Sequence, residues 1–228
     1  MLIKHLSHSG FIVEDKNDIL VFDSILPMDL NKEMKNIYVF ASHSHGDHFV
    51  LDSMKNLYPQ ENAYFIFSKD IAPKIADTNI KNLSLIDNYE SNIINDVNIS
   101  TYGTTDLGNS YMVTLNNKNY FHSGDLNWWH WKRMTPEERK VEEVDFKKEV
   151  DLFKDKSIDF AFVPVDPRLE EYAYLAINYF IKTVQPKFVM PMHSFGQYDF
   201  YKDLEQHIDL QNTTLINIRE ENQIIYKE

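Results

Sequence analysis

The densest group of chemically active side chains in this sequence is the run of residues 43–48, His-Ser-His-Gly-Asp-His. It directly follows an apolar run, residues 37–41, whose composition is typical of a buried β-strand. Imidazole and carboxylate groups add little to a hydrophobic core, but imidazole nitrogens and carboxylate oxygens together suit Zn²⁺, Mn²⁺ or iron. The run therefore predicts a divalent-metal site at a strand end, and the alternative is a solvated, histidine-rich turn.

The spacing within this run allows its side chains to converge on one point. In a tight loop, alternate residues can project to one side, so His43, His45 and Asp47 can meet while His48 approaches from the next turn. Gly46 is predicted to permit the backbone bend that this convergence needs.

Further polar residues follow other strand-like runs. Asp23 closes the second strand of a predicted N-terminal hairpin, Asp125 ends the segment Phe-His-Ser-Gly-Asp, and His193 follows residues 188–192. With the motif His-x-His-x-Asp-His, their order and approximate spacing give most of the chain a resemblance to the metallo-β-lactamase-fold hydrolases. The subgroup that it most resembles includes the L-ascorbate-6-phosphate lactonases, which begin with a segment similar to residues 6–12, Leu-Ser-His-Ser-Gly-Phe-Ile.

The resemblance implies two adjacent divalent metal ions, for which zinc is the first expectation and manganese or iron the alternatives. The ligands that it implies are His43 and His45 for the first ion, Asp47, His48 and His193 for the second, and Asp125 as a bridge.

One histidine of the family pattern is missing from this sequence. The family usually has a further histidine ligand near residues 102–108. This sequence has no histidine between His48 and His122. Asp106 is the predicted substitute, and a carboxylate there would shift the preference toward manganese or iron. The alternative is that Asp106 caps the turn of residues 103–108 and that the first site is weak or empty.

Asp47 and Asp125 are also the predicted catalytic residues. Two metal ions about 3.5–4 Å apart lower the pKa of a bound water to near 7, and either carboxylate could pass a proton to the leaving group. This chemistry predicts a metal-dependent hydrolase acting on a small, anionic ester, lactone or phosphodiester. The alternatives are a nucleotide or RNA phosphodiesterase of the same fold, and a non-hydrolytic metal-binding or redox module.

Two further residues are predicted to support the ligands. Asp23 is expected to accept the free ring N–H of His43 or His45, and the alternative is a plain carboxylate at the end of a hairpin. His122 is expected to support the ligands or the core rather than to bind metal, because of the alternation of side chains along its strand.

Four residues are candidates for substrate binding. His8 lies in the N-terminal segment that resembles the family and could face the cleft. Trp128 and His130 belong to the run Asn-Trp-Trp-His-Trp after Asp125, which predicts an aromatic wall, a dimer contact or ordinary core packing. Arg168 is suited to anchor a substrate carboxylate or phosphate, with a surface ion pair as the alternative.

Composition narrows the classes of protein further. The 228 residues include no cysteine, which excludes disulfides and thiolate zinc sites, and the net charge of −12 argues against nucleic-acid binding. A signal-peptide pattern and a long apolar stretch are both absent from the sequence. These features predict a cytoplasmic protein without a membrane segment that acts on a small molecule, and they leave a homo-oligomer open.

Periodicity predicts a single domain, residues 1–228, of the α/β class, because hairpins and crossover helices coexist without a long linker. The clearest helix start has Thr135 as the N-cap and Glu138 as its capping-box partner. Helices are also predicted just after His48 and over residues 69–77, 169–184 and 199–207. The resemblance sharpens the architecture to a four-layer αββα sandwich with the metal site at one edge of the two sheets.

Overall fold

Two seven-stranded mixed sheets form the centre of a computed structural model of the chain, which describes residues 1–28, 30 and 35–228. The strands of the first sheet are β1 (Leu2–His5), β2 (Phe11–Asp15), β3 (Asp18–Phe22), β4 (Asn36–Ala41), β5 (Ala63–Ser68), β6 (Leu83–Ile86) and β14 (Ile224–Lys227). The strands of the second sheet are β7 (Ser91–Ile94), β8 (Val97–Tyr102), β9 (Ser110–Leu115), β10 (Lys118–His122), β11 (Phe160–Pro164), β12 (Phe188–Met192) and β13 (Thr214–Leu215). The α-helices are α1 (Ala72–Ile75), α2 (Pro136–Asp151) and α3 (Leu175–Val184).

Each sheet has an antiparallel half and a parallel half. In the first sheet, β14, β1, β2 and β3 pair antiparallel in that order, and β3, β4, β5 and β6 pair parallel. In the second sheet, β7 to β10 pair antiparallel in chain order, and β10 to β13 pair parallel. The parallel strands of a sheet end at the same edge, so residues that follow them lie close together.

Apolar side chains fill the space between the sheets and both outer faces. Phe22 of the first sheet packs on Phe162 of the second, with ring centroids 5.8 Å apart. On the outer face of the second sheet, Phe121 stacks on Phe180 of α3 at 5.0 Å, and α2 packs against α3. A separate apolar cluster on the first sheet includes Ile71 and residues of the short α1. The predicted four-layer sandwich is confirmed, although its two outer layers differ greatly in helix length.

The capping residues of α2 and the turn between β9 and β10 agree with the sequence-based predictions. Thr135 and Glu138 form the predicted capping box at the start of α2, with both reciprocal hydrogen bonds present. The hairpin between β9 and β10 turns at Asn116 and Asn117, whose φ angles of 51° and 62° suit a tight two-residue connection.

Other helix predictions were wrong in type. The expected helix after His48 is a 3-10 turn over Leu51–Met54, and residues 199–207 form two such turns, Tyr198–Tyr201 and Leu204–Gln206. The predicted helix over residues 169–184 is divided, because Glu170 has a left-handed φ of 54° within the turn Pro167–Tyr172 that precedes α3. Among the described residues, no helix is both long and apolar enough to cross a membrane.

Candidate metal centre

The polar residues of the predicted site follow the ends of parallel strands in both sheets. Asp23 and His43 come after β3 and β4, which are neighbours in the first sheet. Asp125, Asp166 and His193 come after β10, β11 and β12, which are neighbours in the second sheet. The fold therefore gathers side chains that are far apart in the sequence at one edge of the sandwich.

Buried carboxylates orient two of the predicted ligand histidines. Nδ1 of His48 lies 2.7 Å from Oδ2 of Asp23, and Nδ1 of His193 lies 3.1 Å from Oδ2 of Asp166. An ionised carboxylate only accepts hydrogen bonds, so each ring must donate from Nδ1–H. In the neutral ring, the lone pair is then on Nε2, which is the form that binds a metal ion. Without a metal ion, the carboxylates favour the protonated form of His48.

Ser42 orients His43 in the same way. The Ser42 hydroxyl donates to Oδ2 of Asp23 at 2.7 Å, so its oxygen is free to accept the Nδ1–H of His43 at 2.9 Å. The Ser42 backbone N–H also donates to Oδ1 of Asp23 at 2.7 Å. Asp23 therefore supports His48 directly and His43 through Ser42, whereas the sequence predicted a direct partner in His43 or His45.

The three oriented rings converge on one carboxylate. Nε2 of His48 and Nε2 of His193 lie 3.1 Å and 3.3 Å from Oδ1 of Asp125, and Nε2 of His43 lies 3.5 Å from Oδ2. All three nitrogens and Oδ1 are buried, and none has a hydrogen-bond partner within the described part of the chain. Buried polar atoms without partners are costly, and a divalent cation would satisfy these four together. The residues present thus fit a metal ion.

The candidate ligands fall into two groups, in each of which one ligand atom per residue lies within 4.8 Å of the others. The first group is His43, His45 and Asp125, and the second group is His8, Asp47, His48 and His193. Every predicted ligand except Asp106 belongs to one of these groups, and His8 joins them although it was considered only for substrate binding.

Asp106 lies beside the first group. Its Oδ2 is 3.9 Å from Nδ1 of His45, and both side chains are about half exposed, at 51% and 49%. Its role as the replacement ligand stays a prediction.

Buried carboxylates and imidazoles at the centre shift each other's pKa values. Burial alone would raise the pKa of Asp125, but His48 and His193 hold it well below its usual value. Burial likewise opposes charge on His48, yet Asp125 and Asp23 raise the pKa of that imidazole to about 10. For His43, burial prevails and lowers the pKa to about 4. The buried carboxylates thus favour positive charge at the centre.

The loop that carries Asp106 is packed tightly against the ligand run. Gly108 has a φ of 74°, and a Cβ at this position would overlap with the carbonyl oxygen of Ser42 and lie 2.6 Å from Cβ of His43. The next residue, Asn109, donates its N–H to the same carbonyl at 2.9 Å. Only glycine fits here without strain.

The prediction that Gly46 is needed for the bend was wrong. Gly46 is outside the left-handed region, and a Cβ there would meet open space. Left-handed φ angles occur instead at His8, Asp23 and His193, at 49°, 41° and 69°.

A cavity of about 330 Å³ opens in front of the candidate ligands. Its lining comprises His45, Asp47, Thr105, Asp106, Asp125, Trp129, Trp131, Met134, Glu142, Arg168 and His193. The Trp129 and Trp131 rings are parallel within 1°, with centroids 5.9 Å apart. The Arg168 guanidinium lies 3.9 Å from the centre of the Phe195 ring and pairs with Asp166 at 2.6 Å. Arg168 therefore lines the cavity and is already held by the buried Asp166 carboxylate. Its role as a substrate anchor stays a prediction.

The structure places Trp128 and His130 away from this cavity, contrary to their predicted substrate-binding role. Trp128 packs on Phe146 of α2 at 6.0 Å. His130 packs on Tyr172 at 4.3 Å and lines a different surface cavity. Neighbouring residues of this irregular run face opposite sides, so Trp129 and Trp131 line the cavity in their place.

Sequence reasoning missed Asp166 and Ser42. The sequence showed Asp166 only as a carboxylate after a strand, two residues before Arg168, and its partner His193 is 27 residues away.

His122 lies outside both candidate groups. Its Nε2–H donates to the Ser9 carbonyl oxygen at 2.9 Å, and its ring stacks on Phe22 with centroids 5.2 Å apart.

This chain is similar in sequence to a protein described as a metal-dependent hydrolase. A UPF0173 metal-dependent hydrolase of Nanoarchaeum equitans is 28% identical over 207 residues, which cover 85% of this chain and 83% of that protein. No family model matches the chain.

Two solved structures define the fold. Igni18, described as a novel metallo hydrolase from Ignicoccus hospitalis, superposes with a TM-score of 0.67 over 100% of this chain and 99% of that chain, at 16% identity. The metallo-β-lactamase fold protein YhfI from Bacillus subtilis superposes with a TM-score of 0.62 over 96% and 91%, at 10% identity. The chain has the metallo-β-lactamase fold.

Proposed function

We propose that this protein is a metal-dependent hydrolase that acts on a small, anionic ester, lactone or phosphodiester. The observation that carries the proposal is the convergence of three buried Nε2 atoms, from His43, His48 and His193, on the Asp125 carboxylate. The description of the Nanoarchaeum equitans relative as a metal-dependent hydrolase supports the same reading.

Divalent ions held by these residues would supply a water molecule of lowered pKa, near 7 rather than about 15.7. Asp125 belongs to the first group and also lies 3.1 Å and 3.3 Å from His48 and His193 of the second, so its carboxylate connects the two groups. Asp47 has a side chain that is 36% exposed and lines the cavity, which supports its predicted role in passing a proton to the leaving group. Trp129 and Trp131 exclude water from one wall of the cavity.

The size of the cavity and the Arg168 guanidinium in its wall support a small, anionic substrate. A volume of about 330 Å³ suits a small molecule, since ligand pockets begin near 300 Å³. Among the described residues that line the cavity, Arg168 is the one lysine or arginine, beside four carboxylates. It can bind a carboxylate or phosphate of the substrate through guanidinium N–H groups that Asp166 does not occupy. Lactones are the first class to test, because residues 6–12 resemble the opening segment of the L-ascorbate-6-phosphate lactonases.

The experiment is metal analysis of gently purified protein, followed by turnover of matched lactone, ester and phosphodiester panels. We expect bound zinc, manganese or iron, and loss of turnover in His45→Ala and Asp125→Asn with the fold intact by circular dichroism. Gly46→Ala is the matched control within the ligand run, because its Cβ meets open space. Full turnover by Asp125→Asn would overturn the proposal.

Two outcomes would point to other functions. A metal-loaded protein that is inert on all panels and has a visible iron absorption band would favour a redox role. Micromolar, salt-sensitive RNA affinity in filter binding would favour a phosphodiesterase of nucleic acids, against the net charge of −12.

A further inference from the structure

His8 lies in the turn between β1 and β2 and is hydrogen-bonded to the loop that carries His193. Its backbone carbonyl accepts the His193 N–H at 3.1 Å, and its Nδ1 accepts the Phe195 N–H at 3.3 Å. The side chain is buried, and the backbone has a left-handed φ of 49°. A left-handed φ is uncommon for residues other than glycine, although histidine adopts it more readily than most.

The hydrogen bond to Nδ1 decides which nitrogen of His8 carries the proton. A nitrogen that accepts an N–H has no proton of its own, so the neutral His8 ring is protonated on Nε2. In His43, His48 and His193 the opposite holds, because each Nδ1 faces a hydroxyl or carboxylate oxygen and donates to it. In their neutral forms, these three rings present Nε2 lone pairs to the centre, whereas His8 presents an Nε2–H.

The nearest acceptor for that N–H is Asp47. Nε2 of His8 lies 3.5 Å from Oδ2 of Asp47, slightly longer than a good hydrogen bond, and it has no other partner among the residues described. A buried N–H without a partner is costly, so a small rotation of the partly exposed Asp47 side chain that shortens this contact is favourable. His8 is absent from the cavity lining, whereas Asp47 belongs to it.

We propose that His8 is a positioning residue, which donates Nε2–H to Asp47 and leaves that carboxylate one oxygen for the metal, and that it is not itself a metal ligand. The inference rests on the proposed metal centre. It explains why His8 groups with Asp47, His48 and His193 in space although the ring presents a proton to them.

The test is NMR of the full-length protein with ¹⁵N-labelled histidine, loaded with ¹¹³Cd²⁺. We expect the Nε2 atoms of His43, His48 and His193 to show scalar coupling to cadmium, while His8 shows an Nε2-bound proton and no coupling. Cadmium coupling to Nε2 of His8, or a proton on its Nδ1, would overturn the inference while leaving the metal centre intact. Absence of coupling at every ring would overturn the metal centre and, with it, this inference.

Two variants supply a second, quantitative readout in a Cd²⁺ competition titration with a chromophoric chelator. His8→Gly removes the side chain and suits the left-handed backbone, so we expect cadmium stoichiometry to be unchanged and affinity to fall roughly 10-fold, as for other residues that orient a ligand. His8→Gln keeps an N–H donor near the position of Nε2, so it should recover most of the affinity. Glutamine also adopts a left-handed backbone elsewhere in this chain, at Gln185 and Gln211. Loss of one bound ion in both variants would show that His8 is a ligand instead.

Discussion

Oδ2 of Asp23 lies 2.7 Å from Nδ1 of His48. Both side chains are buried, beside the candidate metal centre at one edge of the two sheets. The two residues are 25 positions apart in the sequence. This contact sets the tautomer of His48 and, through Ser42, that of His43, so one carboxylate outside both candidate ligand groups prepares ligands in both of them.

Asp23 should stabilise the metal-free protein in a pH-dependent way. Burial opposes ionisation, but His122, His48 and Ser42 lower its pKa from 3.8 to about 2. A lowered folded-state pKa stabilises the protein above the unfolded-state value, and the effect is lost as pH falls through the folded-state value. The shift corresponds to about 2 kcal/mol.

The measurement is urea unfolding of wild type and Asp23→Asn in chelator at pH 5, 3 and 2. We expect the difference in unfolding free energy to be largest at pH 5 and nearly absent at pH 2. His48 is protonated in both folded and unfolded states across this range, so it adds no slope. A difference that does not change with pH would contradict this assignment.

Gly108→Ala should disturb the centre, whereas Gly46→Ala should not. The new Cβ at position 108 would overlap with the Ser42 carbonyl oxygen on a backbone with φ of 74°, and nothing lies within 4 Å of the equivalent atom at position 46. We expect Gly108→Ala to lower the unfolding free energy by about 2–4 kcal/mol and to weaken metal binding. Thermal unfolding and metal analysis of the two variants side by side check this, and equal behaviour would refute it.

Asp166 should control metal affinity through His193. It accepts the Nδ1–H of His193 and also holds Arg168. Asp166→Asn should weaken metal binding about 10- to 100-fold, the usual effect of losing a residue that orients a ligand. Arg168→Ala keeps the carboxylate and should change metal affinity much less. A chelator competition titration of both variants separates the two roles, and equal losses would mean that Arg168 is needed to hold Asp166.

Asp106 should determine how many metal ions bind. If its carboxylate replaces the missing histidine, Asp106→Ala should lower the metal content from two equivalents to one in elemental analysis. Asp145→Ala is the matched control, since Asp145 is an exposed aspartate that lines a neighbouring cavity with Asp106 but not the one at the ligands. One equivalent in wild type and in both variants would leave a single site built on Asp47, His48 and His193.

Local patterns in the sequence predicted the α/β class and a metal site at residues 43–48. The resemblance to metallo-β-lactamase-fold hydrolases implied the αββα sandwich and the ligand roles of Asp125 and His193. Apolar runs that end in polar residues identified the strands before Asp23, His43 and His193, and the spacing of residues 43–48 marked the site. The capping box of α2 was equally visible, since Thr135 and Glu138 are three residues apart.

The tertiary structure alone decided which residues form hydrogen bonds or ion pairs with the candidate ligands. Asp166 meets His193, and His8 meets Asp47, only because neighbouring parallel strands and the turn after β1 end at the same edge. The choice of Trp129 and Trp131 over Trp128 as cavity wall depends on backbone orientation in an irregular run. The tautomer of each histidine depends on whether a donor or an acceptor lies beside Nδ1, and residues distant in sequence supply most of those groups.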